Sequence, residues 1–214
     1  DVISLPTISV GWILVILGLI TMLIGVFMAI IQTDFKRLIA YGAVAELGYM
    51  ALAVGTGLTI VANADPTISL ETAPFAMKAI TGGLFHVIND ALDIGLLFLV
   101  AGAVYYATKE TSLNKLGGLA RQMKYTTVFF IIGLLAVSGL PPFNGFASKL
   151  MIYESTYQLN PILSIVAILS SILLLAIFVK VLHSVFLGPA LPKFDSVSEV
   201  PKTMLMAMAV IAGI

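Results

Sequence analysis

Four long apolar runs constrain the fold of this chain more than any other feature of its sequence. They are Ile8–Ile31, Leu38–Val61, Ile80–Tyr106 and Ile162–Leu187. Roughly 20 helical residues cross the hydrocarbon core of a bilayer, so each run is long enough to span it. Trp12, near the start of the uncharged first run, suits an interface between membrane and water. The runs therefore predict transmembrane α-helices.

The overall composition places the whole chain in a membrane. Hydrophobic residues make up 60% of the 214 residues and charged residues 10%. A soluble chain could not cover its surface with so few charges. The absence of cysteine excludes disulfides, thiolate metal sites and a cysteine nucleophile. We predict an all-α, polytopic transmembrane helix bundle that forms a single domain over residues 1–214.

The two ends of the sequence lead us to expect a piece of a longer protein. The chain starts at Asp1, and Ile214 lies inside an apolar run that begins at Pro201 and is too short to span. The opening segment lacks the basic stretch and the cleavage site of a signal peptide.

The stretch Tyr125–Gln158 matches neither one nor two ordinary membrane crossings. It is too long for one helix and too short for two with a loop. Its apolar run stops at Pro141 and Pro142, and a polar corner with Gly145 precedes a second helical pattern. Proline cannot donate a backbone hydrogen bond, and its ring clashes with the preceding turn. We predict one crossing made of two half-helices, broken within Ser138–Lys149.

Two interpretations of this break remain open at the level of sequence. Irregular backbone is tolerated at membrane depth only inside protein or beside water, and ion transporters place broken, charged helices at their pathways. The alternative is a structural helix with a proline kink, whose Lys149 extends to an interface.

The distribution of basic residues favours a single broken crossing. If Tyr125–Gln158 is one crossing, most basic side chains lie on one face of the membrane, and only Lys78 lies on the other face. Those side chains are Lys36, Arg37, Lys109, Lys115, Arg121, Lys124, Lys193 and Lys202. Because cytoplasmic loops are rich in lysine and arginine, we predict six crossings, the last truncated, with the basic loops in the cytoplasm.

Ionisable residues inside the apolar runs are the candidate functional residues, because each costs about 2.5 kcal/mol or more in a bilayer. Glu46 follows Lys36 by close to three turns, so both can share one helical face. Alternatively, Lys36 anchors a helix end and Glu46 pairs with a cation of a neighbouring helix. Lys149 beside the break, and Lys180 one turn from His183, extend the row of candidates.

The third run carries His86, Asn89, Asp90 and Asp93 on one helical face. Close carboxylates tend to share a proton, and histidine changes charge near neutral pH. This combination favours a relay for protons or cations. The alternative is a His86 that lies near the outer surface and is merely solvated.

Small residues within the runs predict close helix packing. These residues are Ser170, Ser171 and the glycines at positions 42, 48, 55, 95 and 102.

Several classes of function find no support in the sequence. It contains no phosphate-binding loop, no GxGxxG motif between a strand and a helix, no metal-ligand cluster and no nucleophile motif. It also lacks the exposed basic domain that nucleic-acid binding needs. We therefore expect no cofactor, no metal and no nucleic acid bound to this chain.

Five segments of the chain form a distinctive set. The first two are Thr33–Tyr41, with the sequence TDFKRLIAY, and Glu46–Tyr49, with the sequence ELGY. The third is Phe85–Gly102, with the sequence FHVINDALDIGLLFLVAG. The last two are the GGL at 117–119 and Ser138–Lys149, with the sequence SGLPPFNGFASK. In order and spacing these segments resemble the proton-conducting antiporter-like subunits of respiratory complex I, Mrp-type Na+/H+ antiporters and membrane-bound hydrogenases. The resemblance covers nearly the whole chain.

This resemblance implies a fold, a set of roles and a set of partners. The chain would be the second of two inverted five-helix repeats, over residues 1–190, followed by the start of the next helix at 201–214. Lys36 would be the axis lysine, His86 the relay histidine and Lys149 the terminal lysine on the broken helix. The partners would be other membrane subunits, including antiporter-like ones, and a redox module, in the lipid bilayer of the cell membrane.

The sequence departs from the family pattern at several of these positions. Ile94 stands where the family has a lysine, Asp90 where it has a second histidine, and Glu46 where it has a glutamine. The missing lysine interrupts the usual row of bases. Three explanations remain open: protons pass through Asp90 and Asp93 instead, Na+ passes along the carboxylates, or the channel is vestigial. The NDA sequence within the third run, together with Ile94, favours the hydrogenase-like or Mrp branch over mitochondrial-type complex I.

Two functions from different classes follow. The first is an ion-translocating subunit of a redox-driven or Mrp-type complex, without a catalytic site of its own, that moves H+ or alternatively Na+. Its relay residues would be Lys36, Glu46, His86, Asp90, Asp93, Lys149 and Lys180. The second is a degenerate repeat that serves as a membrane scaffold for other subunits.

Overall fold

The computed structural model describes residues 4–63 and 69–214, with side chains described at 10–63 and 73–214. The chain forms α1 (Ser4–Ile31), α2 (Phe35–Asn63), α3 (Ser69–Thr108), α4 (Lys124–Val137), α5 (Asn144–Leu159), α6 (Pro161–Val181) and α7 (Lys202–Ala212). A π-helical turn, Leu182–Leu187, continues α6, and a short 3-10 turn, Pro192–Phe194, follows it. The predicted all-α bundle is confirmed.

Within the described residues, four helical segments are long and apolar enough to cross a membrane. They are Val10–Ile31, Phe35–Asn63, Ala73–Thr108 and Pro161–Leu187. Each corresponds to one of the four apolar runs of the sequence, so that prediction is confirmed.

One end of the bundle collects most of the loops. Phe35 N donates to Thr111 O (2.8 Å) and Leu119 N donates to Val185 O (3.2 Å). These bonds join the corner between α1 and α2, the loop between α3 and α4, and the end of α6. The basic residues predicted to share one face lie in and beside these loops, at what we call the basic end.

The helices α4 and α5 together make one traverse of the bundle. α4 begins and α6 ends at the basic end, so the start of α6 at Pro161, and with it the end of α5, lie at the opposite end. At 1.5 Å per residue the two helices are only about 21 and 24 Å long. Neither matches the hydrocarbon thickness of about 30 Å alone, and the predicted break is confirmed.

α1 and α2 pack in close contact through glycines spaced by seven residues. A Cβ on Gly18 would lie 2.5 Å from Leu52 N, and one on Gly25 would lie 2.4 Å from Ala45 N. On α2, a Cβ on Gly48 would be equally close to the α1 backbone. Seven residues are close to two helical turns, so the glycines line one face and let the two backbones approach.

The prediction of close packing holds for only some of the other glycines. It is confirmed at Gly55, and a Cβ on Gly42 would lie 3.3 Å from the Phe178 ring. It is wrong at Gly95 and Gly102, where a Cβ would have no neighbour within 4 Å. A small side chain permits a close approach of another helix but does not require one.

The polar and proline residues between the second and third apolar runs, Asn63, Asp65, Pro66, Glu71 and Pro74, predict a loop, and this prediction is wrong in part. α3 already begins at Ser69, so Glu71 and Pro74 lie inside the helix, and Asn63 is the last residue of α2. Asp65 and Pro66 lie outside the described residues. Pro74 comes only five residues after the helix start, so it removes a backbone hydrogen bond near the end of the helix rather than in its middle.

Two apolar clusters fill the interior and leave a polar layer between them. The larger cluster lies toward the basic end and includes Ala45, and the smaller one includes Tyr49 and Ala167. On α2, Glu46 lies between Ala45 and Tyr49; on α6, Ser171 follows one turn after Ala167. The polar layer therefore lies near the middle of the bundle, at the level of the helix break.

Candidate functional site

Glu46 lies at the centre of the polar layer. Its side chain is fully buried, and it contacts ionisable groups from two other helices. Oε1 accepts a hydrogen bond from Lys149 Nζ at 2.8 Å, and Oε2 lies 2.7 Å from His86 Nε2. α2, α3 and α5 thus each supply one ionisable group to a buried triad of Glu46, His86 and Lys149.

The helix break supplies the remaining partners of Lys149. Its ammonium group donates to Val137 O at 2.7 Å and to Ser171 Oγ at 3.4 Å. The Val137 carbonyl is free to accept because α4 ends at this residue and the last carbonyls of a helix have no partner within it. Lys149 Nζ also lies 4.7 Å from the centre of the Tyr49 ring, a cation–π distance.

Glycine at two positions of the break makes room for this arrangement. Gly139 has a φ of +69°, and a Cβ there would lie 2.8 Å from Lys149 Cδ. A Cβ on Gly145 would lie 2.1 Å from Ala136 O. α5 can therefore begin against the end of α4 only with glycine at position 145.

On its other side, His86 joins a network of neutral polar groups. His86 Nδ1 lies 3.0 Å from Ser148 Oγ, and Asn89 Nδ2 donates to the same oxygen at 3.0 Å. Asn89 Nδ2 also donates to Asn144 O at 3.0 Å, at the first residue of α5. This network ties α3 to the start of the second half-helix.

A buried triad of this kind is a weak source of stability. Desolvation of each ion offsets much of the Coulomb attraction, and loss of one partner leaves the other charge buried and uncompensated at a cost of about 3–5 kcal/mol. Ionisable groups inside membrane proteins usually mark ion or proton pathways. The triad is therefore the candidate functional site.

Asp90 and Asp93 extend the site along α3 toward the break. Asp90 is half-buried, and its Oδ1 is buried without a hydrogen-bond partner among the described residues. Asp93 is 6% exposed and lines a cavity of about 220 Å³ with Asn144, Phe143 and residues near the end of α7. A cavity of this size holds several water molecules, so Asp93 is placed where water can reach it.

A second cavity lies at the end of the bundle opposite the basic end. It measures about 350 Å³, and Tyr153, Glu154 and Gln158 of α5 help to line it. Glu154 forms an ion pair with Lys78 of α3. The Tyr153 ring lies 6.3 Å from that of Tyr49, so one side chain separates this cavity from the triad.

Lys36 and Lys180 lie apart from the triad. Lys36 is half-buried at the start of α2, and its ammonium group lies 4.6 Å from the centre of the Tyr105 ring. Lys180 is exposed and donates to Ile30 O at 3.2 Å, and His183 is exposed as well. His86, in contrast, is buried rather than solvated.

Ile94 is buried in the larger apolar cluster. The position where the family resemblance leads one to expect a lysine therefore contributes to the hydrophobic core. Among the described residues, the structure contains no group of three or more His, Asp or Glu side chains that could hold a metal ion.

Sequence reasoning missed several members of the site. Ser148 and Asn144 were part of the break motif but received no role, Ser171 was assigned to packing alone, and Tyr49 was only a motif position. The available signal was their position, since Ser148 is adjacent to Lys149, and Tyr49 lies three residues after Glu46.

The chain can also be compared with known proteins. Residues 3–174 match the family model described as NADH:quinone oxidoreductase/Mrp antiporter, transmembrane. The chain belongs to this family. This membership confirms the resemblance drawn from the five sequence segments.

Alignments with individual proteins of the family cover nearly all of this chain. Hydrogenase-4 component B of Escherichia coli (strain K12) is 33% identical over 216 residues, which are 95% of this chain and 31% of that protein. NADH-quinone oxidoreductase subunit L of Rickettsia bellii (strain RML369-C) is 35% identical over 192 residues, 88% of this chain and 27% of that protein.

A solved structure shares the fold. A chain of the membrane-bound sulfane sulfur reductase, an archaeal respiratory membrane complex, superposes with a TM-score of 0.80 at 28% identity. The alignment covers 94% of this chain and 31% of that one. The chain thus spans about a third of the length of the relatives it matches.

Proposed function

We propose that this chain is an ion-translocating part of a membrane complex and that it relays protons through the buried triad and the two aspartates of α3. The observation that carries the proposal is Glu46, which is fully buried yet contacts Lys149 at 2.8 Å and His86 at 2.7 Å. Three exchangeable groups in continuous contact across three helices provide a path along which a proton can move.

Each ionisable residue has a defined part in this relay. Glu46 and His86 exchange a proton across their short contact, and Lys149 balances the charge of Glu46 at the break. Asp90 and Asp93 continue the path toward the cavity beside the break. Lys36 and Lys180 lie outside the triad and would act at the basic end.

The names of the relatives support a role within a larger assembly. They include a hydrogenase component and a subunit of NADH-quinone oxidoreductase, and the structural relative belongs to a respiratory complex. We infer that the partners are other membrane subunits and a redox module or, in the Mrp branch, further antiporter subunits. The energy for transport would come from them, and we expect no cofactor in this chain.

The basic end supports a specific orientation. Lysine and arginine are enriched in cytoplasmic loops, and the basic side chains of this chain collect at one end of the bundle. We place that end in the cytoplasm of a cell whose cytoplasmic membrane holds the complex.

Sealed vesicles that contain the assembled complex test the relay. We expect Glu46→Gln, Lys149→Ala and Asp93→Ala to abolish the proton gradient while the complex stays intact on a native gel. Lys115→Ala is the control, because it removes an exposed lysine from the loop at the basic end. A gradient that survives in all three variants would overturn the relay.

The same vesicles distinguish protons from Na+. A proton relay forms a gradient in Na+-free buffer. If the gradient forms only when Na+ is present, and if Asp93→Ala removes this dependence on Na+, we would instead conclude that the carboxylates carry Na+.

A scaffold is the second candidate function, and the buried Ile94 favours it. An apolar side chain at this position interrupts the row of bases that the family resemblance implies. If the chain is a scaffold, Lys149→Ala changes the amount of assembled complex and leaves the gradient per complex unchanged.

A further inference from the structure

α6 contributes no ionisable group to the buried triad, but the hydroxyl of its Ser171 contacts the triad directly. Ser171 Oγ lies 3.4 Å from Lys149 Nζ and donates to Ser138 O at 3.1 Å. The residue is buried and lies near the middle of α6. One hydroxyl group therefore links α6 to both the ammonium group of Lys149 and the end of α4.

The acceptors around Lys149 equal its hydrogens in number. An ammonium group has three hydrogens to donate and no lone pair. Glu46 Oε1 and Val137 O accept at 2.8 and 2.7 Å, and Ser171 Oγ is the third acceptor. Without the Ser171 oxygen, one hydrogen of the buried ammonium group would lose its acceptor.

The direction of the two hydrogen bonds at Ser171 is fixed by its neighbours. A carbonyl oxygen can only accept, and an ammonium group can only donate. The single hydrogen of the Ser171 hydroxyl must therefore go to Ser138 O. A lone pair of Ser171 Oγ is then left for Lys149.

This arrangement is unusual for a serine inside a helix. Serine and threonine in helices often donate to the backbone carbonyl four residues earlier. Five hydroxyls of this chain do so, namely those of Thr59, Thr108, Thr127, Ser138 and Ser155. Ser171 instead donates to a carbonyl 33 positions away, although Ala167 O lies one turn before it.

The hydroxyl of Tyr49 explains why Ser171 does not bond to Ala167 O. It donates to that oxygen at 2.6 Å. A carbonyl oxygen has two lone pairs, and inside an α-helix one of them accepts the N–H four residues later. Tyr49 occupies the other, so Ala167 O has no lone pair left for the Ser171 hydroxyl.

We propose that Ser171 is a positioning residue that aims Lys149 at Glu46, and that the Tyr49 hydroxyl directs Ser171 into this role. The inference rests on the proposed function, in which Lys149 balances the charge of Glu46. The Tyr49 ring also lies 4.7 Å from Lys149 Nζ and covers the ammonium group. Ser171 acts through Lys149 and does not carry the transported proton.

Three substitutions of Ser171 separate its hydrogen bond from its volume. In sealed vesicles with the assembled complex, Ser171→Ala lowers the rate of proton translocation per complex about two- to tenfold, the equivalent of one hydrogen bond. Ser171→Thr keeps the hydroxyl and translocates at close to the wild-type rate. Ser171→Cys keeps the approximate size, but sulfur is a weak acceptor, so this variant is as slow as Ser171→Ala.

Tyr49→Phe tests the role of the Tyr49 hydroxyl. It keeps the ring over Lys149 and leaves a lone pair of Ala167 O free. The Ser171 hydroxyl then bonds back to Ala167 O, and the rate falls as it does in Ser171→Ala. Because both changes remove the same contact with Lys149, the double variant is no slower than the slower single variant.

Ser170→Ala is the matched control on α6. Ser170 is buried next to Ser171, and its hydroxyl has no hydrogen-bond partner in the part of the chain that the structure describes. The substitution leaves the rate unchanged. Combined with Tyr49→Phe, it gives the rate of Tyr49→Phe alone.

Three results would overturn the positioning role. They are a wild-type rate in Ser171→Ala, equal rates in Ser171→Cys and Ser171→Thr, and losses from Tyr49→Phe and Ser171→Ala that multiply in the double variant.

Lys149→Ala in the same vesicles separates this inference from the relay. If Lys149→Ala abolishes the gradient while Ser171→Ala keeps the wild-type rate, only the role of Ser171 is wrong. If Lys149→Ala keeps the gradient, the role of Lys149 in the relay fails and that of Ser171 fails with it.

Discussion

At the residue scale, Asp34 shows how a single side chain fastens two loops at the basic end. Its Oδ1 accepts a hydrogen bond from the backbone N–H of Arg37 at 3.0 Å and so caps the start of α2. Its Oδ2 accepts from the Thr111 hydroxyl, in the loop before α4. Burial by itself raises the pKa of Asp34, but the hydrogen bonds from Thr111, Arg37 and Lys36 outweigh it and hold the pKa below its usual value.

Replacement of this cap should give a pH-dependent loss of stability. We expect Asp34→Ala to lower the free energy of unfolding by about 0.5–2 kcal/mol at neutral pH. Because the pKa of Asp34 is lowered by folding, its ionised form stabilises the fold above about pH 4, and this contribution disappears as the pH falls through the folded-state pKa. Denaturation of the detergent-solubilised complex between pH 3 and 7 measures the effect.

Asp34→Asn is the matched control for the charge. It keeps an oxygen that accepts from Arg37 N but carries no charge, so we expect a smaller loss at pH 7 that shrinks as the pH falls toward 3. If the difference between the wild type and Asp34→Asn is as large at pH 3 as at pH 7, the ionised carboxylate is not the source of the stability.

The residues of the triad were predictable to different degrees. Glu46, His86 and Lys149 were predicted as candidates because an ionisable side chain in an apolar run is costly and needs a reason. Ser148 and Ser171 were not, because small polar side chains are common in membrane helices and satisfy themselves on their own backbone. The contacts of Ser148 with His86 and Asn89, which are 62 and 59 positions away in the sequence, distinguish it from a packing residue.

At the element scale, the break between α4 and α5 both shapes the chain and provides acceptors for the site. It frees the Val137 carbonyl for Lys149 and brings Gly145 against Ala136. The adjacent prolines made the break predictable, since neither can donate a backbone hydrogen bond. The start of α3 was not predictable in the same way, because Pro74 lies near enough to a helix end to be tolerated.

Two glycine substitutions test whether the break depends on close contact. Gly145→Ala places a Cβ 2.1 Å from Ala136 O, and we expect it to destabilise the folded chain by about 1–3 kcal/mol through overpacking. Thermal unfolding of the solubilised complex measures the loss. We also expect a lower rate of ion translocation, because α5 carries Lys149 and Ser148.

Gly95→Ala is the control within α3. Its Cβ would have no neighbour within 4 Å, and alanine favours a helix over glycine by about 1 kcal/mol. We expect this variant to be as stable as the wild type or more stable. Equal losses in the two variants would mean that the helical glycines of this chain act through something other than the contacts described here.

At the scale of the whole molecule, the bundle has two ends that a membrane would separate, and hydrogen bonds between loops mark one of them. The basic end holds the loops around Asp34, Thr111 and Val185. The opposite end holds the start of α6 and the cavity lined by Glu154 and Gln158. The count of basic residues predicted this arrangement from the sequence, whereas the contact of Glu154 with Lys78 depended on the packing of α3 against α5.

The absence of cysteine from the chain makes the two ends separately measurable. Asn114→Cys places a thiol in the exposed loop of the basic end, and Gln158→Cys places one at the exposed end of α5. In sealed vesicles with the cytoplasmic face outward, we expect a membrane-impermeant thiol reagent to modify the first variant and to reach the second only after the vesicles are opened. Vesicles of the opposite orientation should give the reverse pattern.

This labelling pattern tests the single broken traverse directly. If α4 and α5 crossed the membrane separately, residues 114 and 158 would be exposed on the same face and would react together. Reaction on opposite faces instead requires an odd number of crossings between the two residues, which α4 and α5 provide as one traverse. The orientation in which Asn114→Cys reacts then identifies the compartment that the basic loops face.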